Sequence, residues 1–365
     1  MSWTEIAVDS SFLSVTGAGQ LIAALPAFLG FYPEDSVVLV SLSPLPDTSP
    51  NGVGIGVVLR CDLERCLDPA FTELGTAARV CSERNARQVV VVLIDSQSQP
   101  ADVAGTAGRG EAYRQFLIRL DRALVQAGTE VAAAWVTTTV QAGAPWWSLL
   151  DIVRGIVPDP TASPLTLAIA SASGRPIYRS RAHVDAALER DEVLAAQVRT
   201  HLLDAADRPA RAGGGNNSHT AIRASVELVL SCVDAAEPLT PARLAEVAVA
   251  VGISGVPGCL MGLSRTIAAA SAHRLWTELT RALPDPQRAE AAVLLAFSAY
   301  LTGDGALAVS AIGVALRLNP DHQIARMLET AFSIGLPPEQ LQSLALHGIS
   351  AATDLGIAFP ASTRK

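Results

Sequence analysis

"QVVVVLID", residues 88–95, is a nearly continuous apolar run that ends in an acidic residue, and this composition is typical of a strand buried on both faces of a sheet. A helix is predicted over 111–127, because its apolar residues recur at helical spacing. The face that they form consists of Tyr113, Phe116, Leu117, Leu120 and Leu124. The next apolar run, "EVAAAWVTTT" (130–139), predicts a second strand. Strand, helix and strand in this order predict a βαβ unit with parallel strands.

The flanking segments extend this unit into a mixed sheet. Upstream, "SVVLVSL" (36–42) and "GVGIGVVLR" (52–60) predict an antiparallel pair of strands. A helix that Thr16 caps and Gly30 ends precedes them. Downstream, "APWWSLLD" follows a glycine-containing turn and is expected to return as a hairpin. Residues 1–160 are therefore predicted to form an α/β domain with a mixed, partly parallel sheet.

The remainder of the chain predicts helices. Residues 161–218 are expected to be a helical connector, which contains a glycine-rich flexible linker at about 208–219. Residues 219–365 are expected to form an all-α domain.

A repeat-like unit is predicted at about 289–335 within this domain. Gly303, Ala308, Ala315 and Pro320 fall where a tetratricopeptide hairpin places its small and turn residues. One such unit predicts a helical hairpin and no peptide groove, because solenoids need about three repeats to bury a continuous core.

Composition excludes several function classes. The net charge of −8 and the pI of 5.3 argue against nucleic-acid and membrane-surface partners, which need clustered basic residues. Lys365 is the only lysine, so Walker A, kinase and Schiff-base chemistry are excluded. We expect no secretory signal, no transmembrane helix and a cytoplasmic location. Five cysteines without a CxxC pair predict reduced thiols, no metal site and no cofactor.

Four segments resemble the actinobacterial domain-of-unknown-function 4192 family (DUF4192) in order and spacing. They are "LIAALPAFLGFYPEDSVVLVSL", "VVLRCDL", "PWWSLL" and "LLAFSAYLTGDGALAVSAIGVALRLNPDHQIARMLETAFSIGLPPEQL". The resemblance covers roughly 12–342 and implies a cytosolic protein with an N-terminal α/β region and a C-terminal helical region. It implies no activity, substrate or catalytic residue.

This chain departs from the family at 249–263. Members tend to carry an Arg-Asp pair in the helical region, whereas this segment reads "VAVGISGVPGCLMGL". A function that depends on the pair is in doubt here.

Asp95 and Ser96 are the first candidate ligand residues, because they end the most buried strand and ligands of open α/β sheets bind at carboxyl ends. Asp95 is alternatively a cap for the following segment. Asp35 and Ser36 enter a strand and are therefore interpreted as turn residues. If the 52–60 strand runs antiparallel to 88–95, the charged residues at its end lie at the opposite edge of the sheet. These residues are Arg60, Asp62 and Glu64.

Trp146, Trp147 and Asp151 complete the candidate pocket. The adjacent tryptophans are expected to point to opposite faces of a strand, where they either pack in the core or line a pocket or interface.

A nucleophilic hydrolase is not indicated, since the chain has no G-x-S-x-G motif and its histidines lie from His183 onward. The first hypothesis is a non-catalytic scaffold for a protein partner or for self-association. The alternative is a small-ligand-binding or hydrolytic α/β protein. An exposed apolar patch at 249–263 or 290–335 would favour the scaffold, and an open polar pocket beyond Asp95 would favour the ligand site.

Overall fold

The computed structural model describes residues 4–7, 17–44, 53–99, 108–173, 176–211, 218–235 and 237–360. The chain divides into two compact units. The first comprises Met1–Val184, Gly303–Ala306 and Phe332–Gly335, and the second comprises Asp185–Thr302, Leu307–Ala331 and Leu336–Lys365. Thr16, the predicted cap, lies outside the described residues, as do residues 212–217 of the predicted linker.

The first unit contains a seven-stranded mixed sheet. Its strands are β1 (Thr4–Ala7), β2 (Ser36–Pro44), β3 (Val53–Asp62), β4 (Gln88–Ile94), β5 (Glu130–Thr137), β6 (Pro145–Ser148) and β7 (Arg154–Ile156). Their order in the sheet is β1-β3-β2-β4-β5-β6-β7. β4 and β5 are parallel, and every other neighbouring pair is antiparallel. The predicted mixed sheet with a parallel β4–β5 pair is confirmed.

The first unit also contains helices. They are α1 (Ala18–Leu29), α2 (Leu63–Leu67), α3 (Leu74–Glu83), α4 (Arg109–Gln126), α5 (Pro164–Ser173) and α6 (Arg181–Ala186, whose last two residues belong to the second unit). Side chains of α2, α3 and α4 share one hydrophobic core with alternate residues of β2 to β5. The five predicted apolar residues of α4 are all buried in that core.

Both faces of β4 are buried, as the sequence predicted, since Val89 through Ile94 are at most 5% exposed. Gly30 ends α1 in the left-handed conformation, with φ of 77°, and its N–H donates to Pro26 O. The expected stop of this helix is confirmed.

Among its described residues the second unit contains helices and their connections and no β-strand. Its helices are α7 (Glu192–Arg211), α8 (Ser218–Val233), α9 (Pro241–Val251), α10 (Val256–Leu260), α11 (Ala269–Ala282), α12 (Gln287–Leu301), α13 (Gly305–Leu318, of which the first two residues belong to the first unit), α14 (Gln323–Ser333, whose last two residues belong to the first unit) and α15 (Pro338–Asp354). A 3-10 turn, Met261–Arg265, follows α10.

The glycine-rich segment 249–263 forms a packing surface for α15. A β-carbon on Gly348 would lie 2.5 Å from Gly258 O and 2.8 Å from Gly262 N. Val256, Leu260 and the other large apolar side chains of α10 are buried. No exposed apolar patch is therefore found over 249–263 in the described structure.

The predicted tetratricopeptide-like unit spans α12, α13 and α14. Gly303 has a φ of 78° in the turn before α13. Ala308 and Ala315 are fully buried, and Pro320 is exposed beyond the end of α13. The segment of the predicted unit therefore forms helices, and the tetratricopeptide-like packing stays a prediction.

Candidate functional site

The direction of the strands brings three strand ends to one edge of the sheet. β2 lies between β3 and β4 and is antiparallel to both, so β3 and β4 run in the same direction. Ser36 at the start of β2 pairs with Asp62 at the end of β3 and with Ile94 at the end of β4. The expectation that the end of β3 lies opposite Asp95 is therefore wrong.

Asp35 and Ser96 are joined directly at this edge. Asp35 Oδ1 accepts hydrogen bonds from the Ser96 N–H at 3.0 Å and from the Ser96 hydroxyl at 2.9 Å. Both residues are exposed, and Asp35 has a φ of 38°. Aspartate tolerates this left-handed conformation better than most residues. The interpretation of Asp35 as a turn residue is correct, and the turn also places its carboxylate beside Ser96.

Asp95 forms the buried base of the site. Its side chain is 0% exposed, and Oδ1 accepts the N–H of Gln97 at 2.9 Å. Oδ2 accepts the Tyr113 hydroxyl at 2.6 Å and lies 3.0 Å from Arg109 Nε. A buried carboxylate needs such partners, because an unpaired one loses its hydration.

Arg109 links this buried carboxylate to the surface. One of its terminal amino groups donates to Glu64 Oε1 at 3.0 Å, and Glu64 follows β3 in α2. Burial acts to lower the pKa of Arg109, but the hydrogen bond with Glu64 and the charge of Asp95 outweigh it and raise the pKa above its usual value. The guanidinium therefore stays charged.

Arg60 makes a third ion pair at the edge. Its Nε donates to Ser36 Oγ at 2.8 Å, and one terminal amino group lies 2.6 Å from Asp62 Oδ1. Ser36 Oγ donates in turn to Glu34 O at 2.5 Å. The edge cluster, as we call it below, consists of Asp35, Ser36, Arg60, Asp62, Glu64, Asp95, Ser96, Arg109 and Tyr113.

The other predicted site residues do not join the edge cluster. Trp147 points to the opposite face from Trp146, as expected, and lies in the core with α2 to α4. Trp146 packs against Trp135, with ring centroids 6.0 Å apart, and its Nε1 donates to Ile156 O. Asp151 is exposed beyond the far end of β6, where Oδ1 accepts the Val153 N–H. The five predicted residues therefore do not line one pocket.

Sequence reasoning missed Arg109 and Tyr113 as partners of Asp95, and Asp35 as the partner of Ser96. Tyr113 was placed correctly on the core face of α4, and a buried tyrosine hydroxyl usually finds a hydrogen-bond partner. That rule points to the nearest strand end, Asp95. Arg109 begins the helix that follows β4, which is the other available signal.

The cysteines and acids offer no metal centre in the part of the chain that the structure describes. All five cysteines are buried free thiols. The hydrogen bond with Cys61 and burial raise the pKa of the Cys66 thiol well above its usual value, so this thiol stays protonated. Cys61 and Cys66 therefore pack as apolar residues.

Among the described residues, no single helix has both the length and the apolar composition to span a membrane. One pair of described helices, 241–251 and 256–265, reaches that length and composition only when the two are taken together, and the pair is bent by 102°.

No curated protein and no solved structure is significantly similar to the chain. The model of the DUF4192 family, a domain of unknown function, matches residues 19–339. Since this match spans most of the chain and includes β2 to β7 and most of the helical unit, the protein belongs to the DUF4192 family.

Proposed function

We propose that the first unit binds a small polar ligand at the edge cluster, through a positively charged or hydrogen-bond-donating group of the ligand. The observation that supports this most is the exposed carboxylate of Asp35. Ser96 holds its Oδ1, and Oδ2 has no hydrogen-bond partner among the described residues. A fixed carboxylate with an open oxygen suits a donor group.

The charge of the edge cluster favours a cationic group. It contains four carboxylates and two guanidinium groups, which gives a net charge of −2 when all are ionised. The acids are Asp35, Asp62, Glu64 and Asp95, and the bases are Arg60 and Arg109. Both arginines are already paired with acids, so an anionic ligand would have to displace a carboxylate.

The buried part of the cluster supports binding by holding the rim in place. Asp95 forms an ion pair with Arg109, and Arg109 forms one with Glu64. The exposed side chain of Glu64 is therefore held in place through the buried carboxylate of Asp95. Such support lowers the conformational entropy lost on binding.

We propose binding here and no hydrolysis. Ser96 is the exposed hydroxyl of the cluster, and the acceptor of its proton is the carboxylate of Asp35. An exposed carboxylate is a weak general base for a serine hydroxyl, and activation usually needs a histidine.

The test is a thermal-shift and calorimetric screen of the full chain with putrescine, agmatine and L-argininamide as cationic probes. ATP and citrate serve as anionic comparators. We expect at least one cationic probe to raise the Tm and the anions not to do so. Asp35→Asn and Ser96→Ala should abolish the shift. Asparagine suits this test because it adopts the left-handed conformation of residue 35.

Asp151→Asn is the matched control, since Asp151 is an exposed aspartate outside the cluster that also holds a turn N–H. It should keep the full shift. Stabilisation by anions alone, or a shift that survives Asp35→Asn, would refute the proposal.

Self-association is the second candidate, and the β6–β7 hairpin favours it. Its exposed large apolar side chains are Leu150, Ile152, Val153 and Ile156, and Ile152 is fully exposed. β7 is the last strand of the sheet and, among the strands that the structure describes, pairs with β6 alone. An open edge with apolar residues is a template for pairing with another strand, and we propose a second copy of this chain as the partner.

Light scattering across a concentration series tests this second candidate. The wild-type chain is expected to dimerise with rising concentration, and Ile152→Asp to stay monomeric at the same concentrations. Leu203→Asp is the control, because Leu203 is an exposed apolar residue outside the β6–β7 hairpin. A wild-type chain that is monomeric throughout would refute self-association.

We further propose a cytoplasmic location, which the five free thiols support.

A further inference from the structure

A cleft of about 350 Å³ lies between α7 and α11 in the helical unit, and its lining is part apolar, with Leu194 and Ala282, and part polar. Its polar lining is Asp191, His273, Arg274, Thr277, Glu278 and Arg281. Its volume is within the range of small-molecule sites. None of these residues belongs to the edge cluster, so the cleft is a separate feature.

Its charged residues form one stripe of α11. Arg274, Glu278 and Arg281 are four and three residues apart, so they lie on one helix face, with the β-carbons of successive members about 5–6 Å apart. Their charges alternate in sign. Asp191 adds a second carboxylate from the residue that precedes α7.

The stripe is unusual because these charges do not neutralise one another. Elsewhere in the unit the same spacings produce ion pairs, Arg223 with Glu227 and Arg243 with Glu246. Among the described residues, the side chains of Glu278 and Arg281 have no hydrogen-bond or ion-pair partner. Both charged groups are therefore available to a ligand in the cleft.

The walls of the cleft are tied together. The Asp191 N–H donates to Arg281 O at 2.9 Å, and Asp191 Oδ1 accepts the Leu194 N–H at 2.9 Å. His273 Nδ1 lies 3.1 Å from the hydroxyl of the buried Ser298. The first of these bonds joins the residue before α7 to the last turn of α11, and the His273 contact joins α11 to α12.

From this arrangement we infer that the cleft binds a small zwitterion of the α-amino-acid type. The guanidinium groups of Arg274 and Arg281 bind its carboxylate, and the carboxylate of Glu278 binds its ammonium group. The charged lining consists of two arginines and two acids, so it has no net charge and complements a ligand that also has none. A single-charge ion uses half of these groups and binds more weakly.

Isothermal titration calorimetry of the full chain tests the inference, with the neutral L-amino acids as probes and acetate and methylammonium as single-charge comparators. We expect at least one amino acid to bind more tightly than either comparator. Arg281→Gln and Glu278→Gln should each weaken its binding at least about tenfold. Arg223→Gln, in an ion pair elsewhere in the unit, should leave it unchanged.

The inference fails if no amino acid binds, if acetate binds as tightly, or if the cleft variants keep wild-type affinity. Asp35→Asn should not affect this binding, so the result is independent of the ligand proposed for the edge cluster.

Discussion

Asp35 Oδ1 accepts two hydrogen bonds from Ser96, although the residues lie 61 positions apart and belong to segments with different apparent roles. Asp35 directly precedes β2, and Ser96 follows the end of β4. The antiparallel pairing of β2 with β4 brings the start of β2 and the end of β4 together at the same edge. The link therefore connects the turn after α1 to the carboxyl end of the central strand.

Substitutions at Asp35 are expected to separate the contribution of its side chain from that of its backbone conformation. Asp35→Ala loses both hydrogen bonds from Ser96 and should lower the free energy of unfolding by about 1–2 kcal/mol. Asp35→Gly loses the same bonds but avoids the cost of a β-carbon at a φ of 38°, so it should be more stable than the alanine variant by about 1 kcal/mol. Urea unfolding measures both, and equal stability of the two variants would contradict the account.

The Tyr113 hydroxyl is expected to stabilise the fold through Asp95. Tyr113→Phe removes a 2.6 Å hydrogen bond to a buried carboxylate and should cost about 1.5–3 kcal/mol. Tyr178→Phe is the control, since among the described residues the Tyr178 hydroxyl has no hydrogen-bond partner. In a double-mutant cycle, Tyr113→Phe and Asp95→Asn should be non-additive. Additive effects would show that the two side chains act independently.

Alanine substitutions at two glycines are expected to have very different effects. A β-carbon on Gly348 would meet backbone atoms of Gly258 and Gly262, so Gly348→Ala should lower the free energy of unfolding by about 2–3 kcal/mol. The same change at Gly258 meets no atom within 4 Å and should be close to neutral or slightly stabilising. Chemical denaturation compares them, and similar values for both would contradict the close packing of α15.

The His322–Glu290 pair is expected to make stability depend on pH. Glu290 Oε1 lies 3.2 Å from His322 Nε2, and this hydrogen bond raises the pKa of His322 against the opposing effect of burial. The neutral imidazole accepts a hydrogen bond from the Ala325 N–H at Nδ1, and protonation of Nδ1 would remove it. The charged hydrogen bond with Glu290 is stronger and outweighs this loss. A raised pKa means that the folded state binds the proton more tightly than the unfolded state.

The extra stability is therefore fully present below the pKa of His322 in the unfolded state, about 6.5, and is lost as the pH rises through its pKa in the folded state. Glu290→Gln should consequently cost more at pH 5.5 than at pH 8 in urea unfolding. A cost that is the same at both pH values, or larger at pH 8, would show that His322 does not titrate against Glu290.

The local chemistry of the sequence was sufficient to predict the central elements. The apolar run of β4 and the helical spacing of α4 each depend on residues close together in the chain, so hydrophobic periodicity identifies them. The same argument located Asp95 and Ser96 at a strand end and placed Trp146 and Trp147 on opposite faces. Asp95 and Ser96 are the part of the edge cluster that sequence analysis identified as a candidate site.

Only the tertiary structure decided which residues surround Asp95. The placement of β2 between β3 and β4 gives β3 the direction of β4, and this brings Asp35, Arg60 and Glu64 to the edge. The antiparallel pairing of β6 with β5 places Asp151 beyond the far end of β6. Strand order depends on contacts between residues far apart in the chain, and such contacts leave no local pattern in a single sequence.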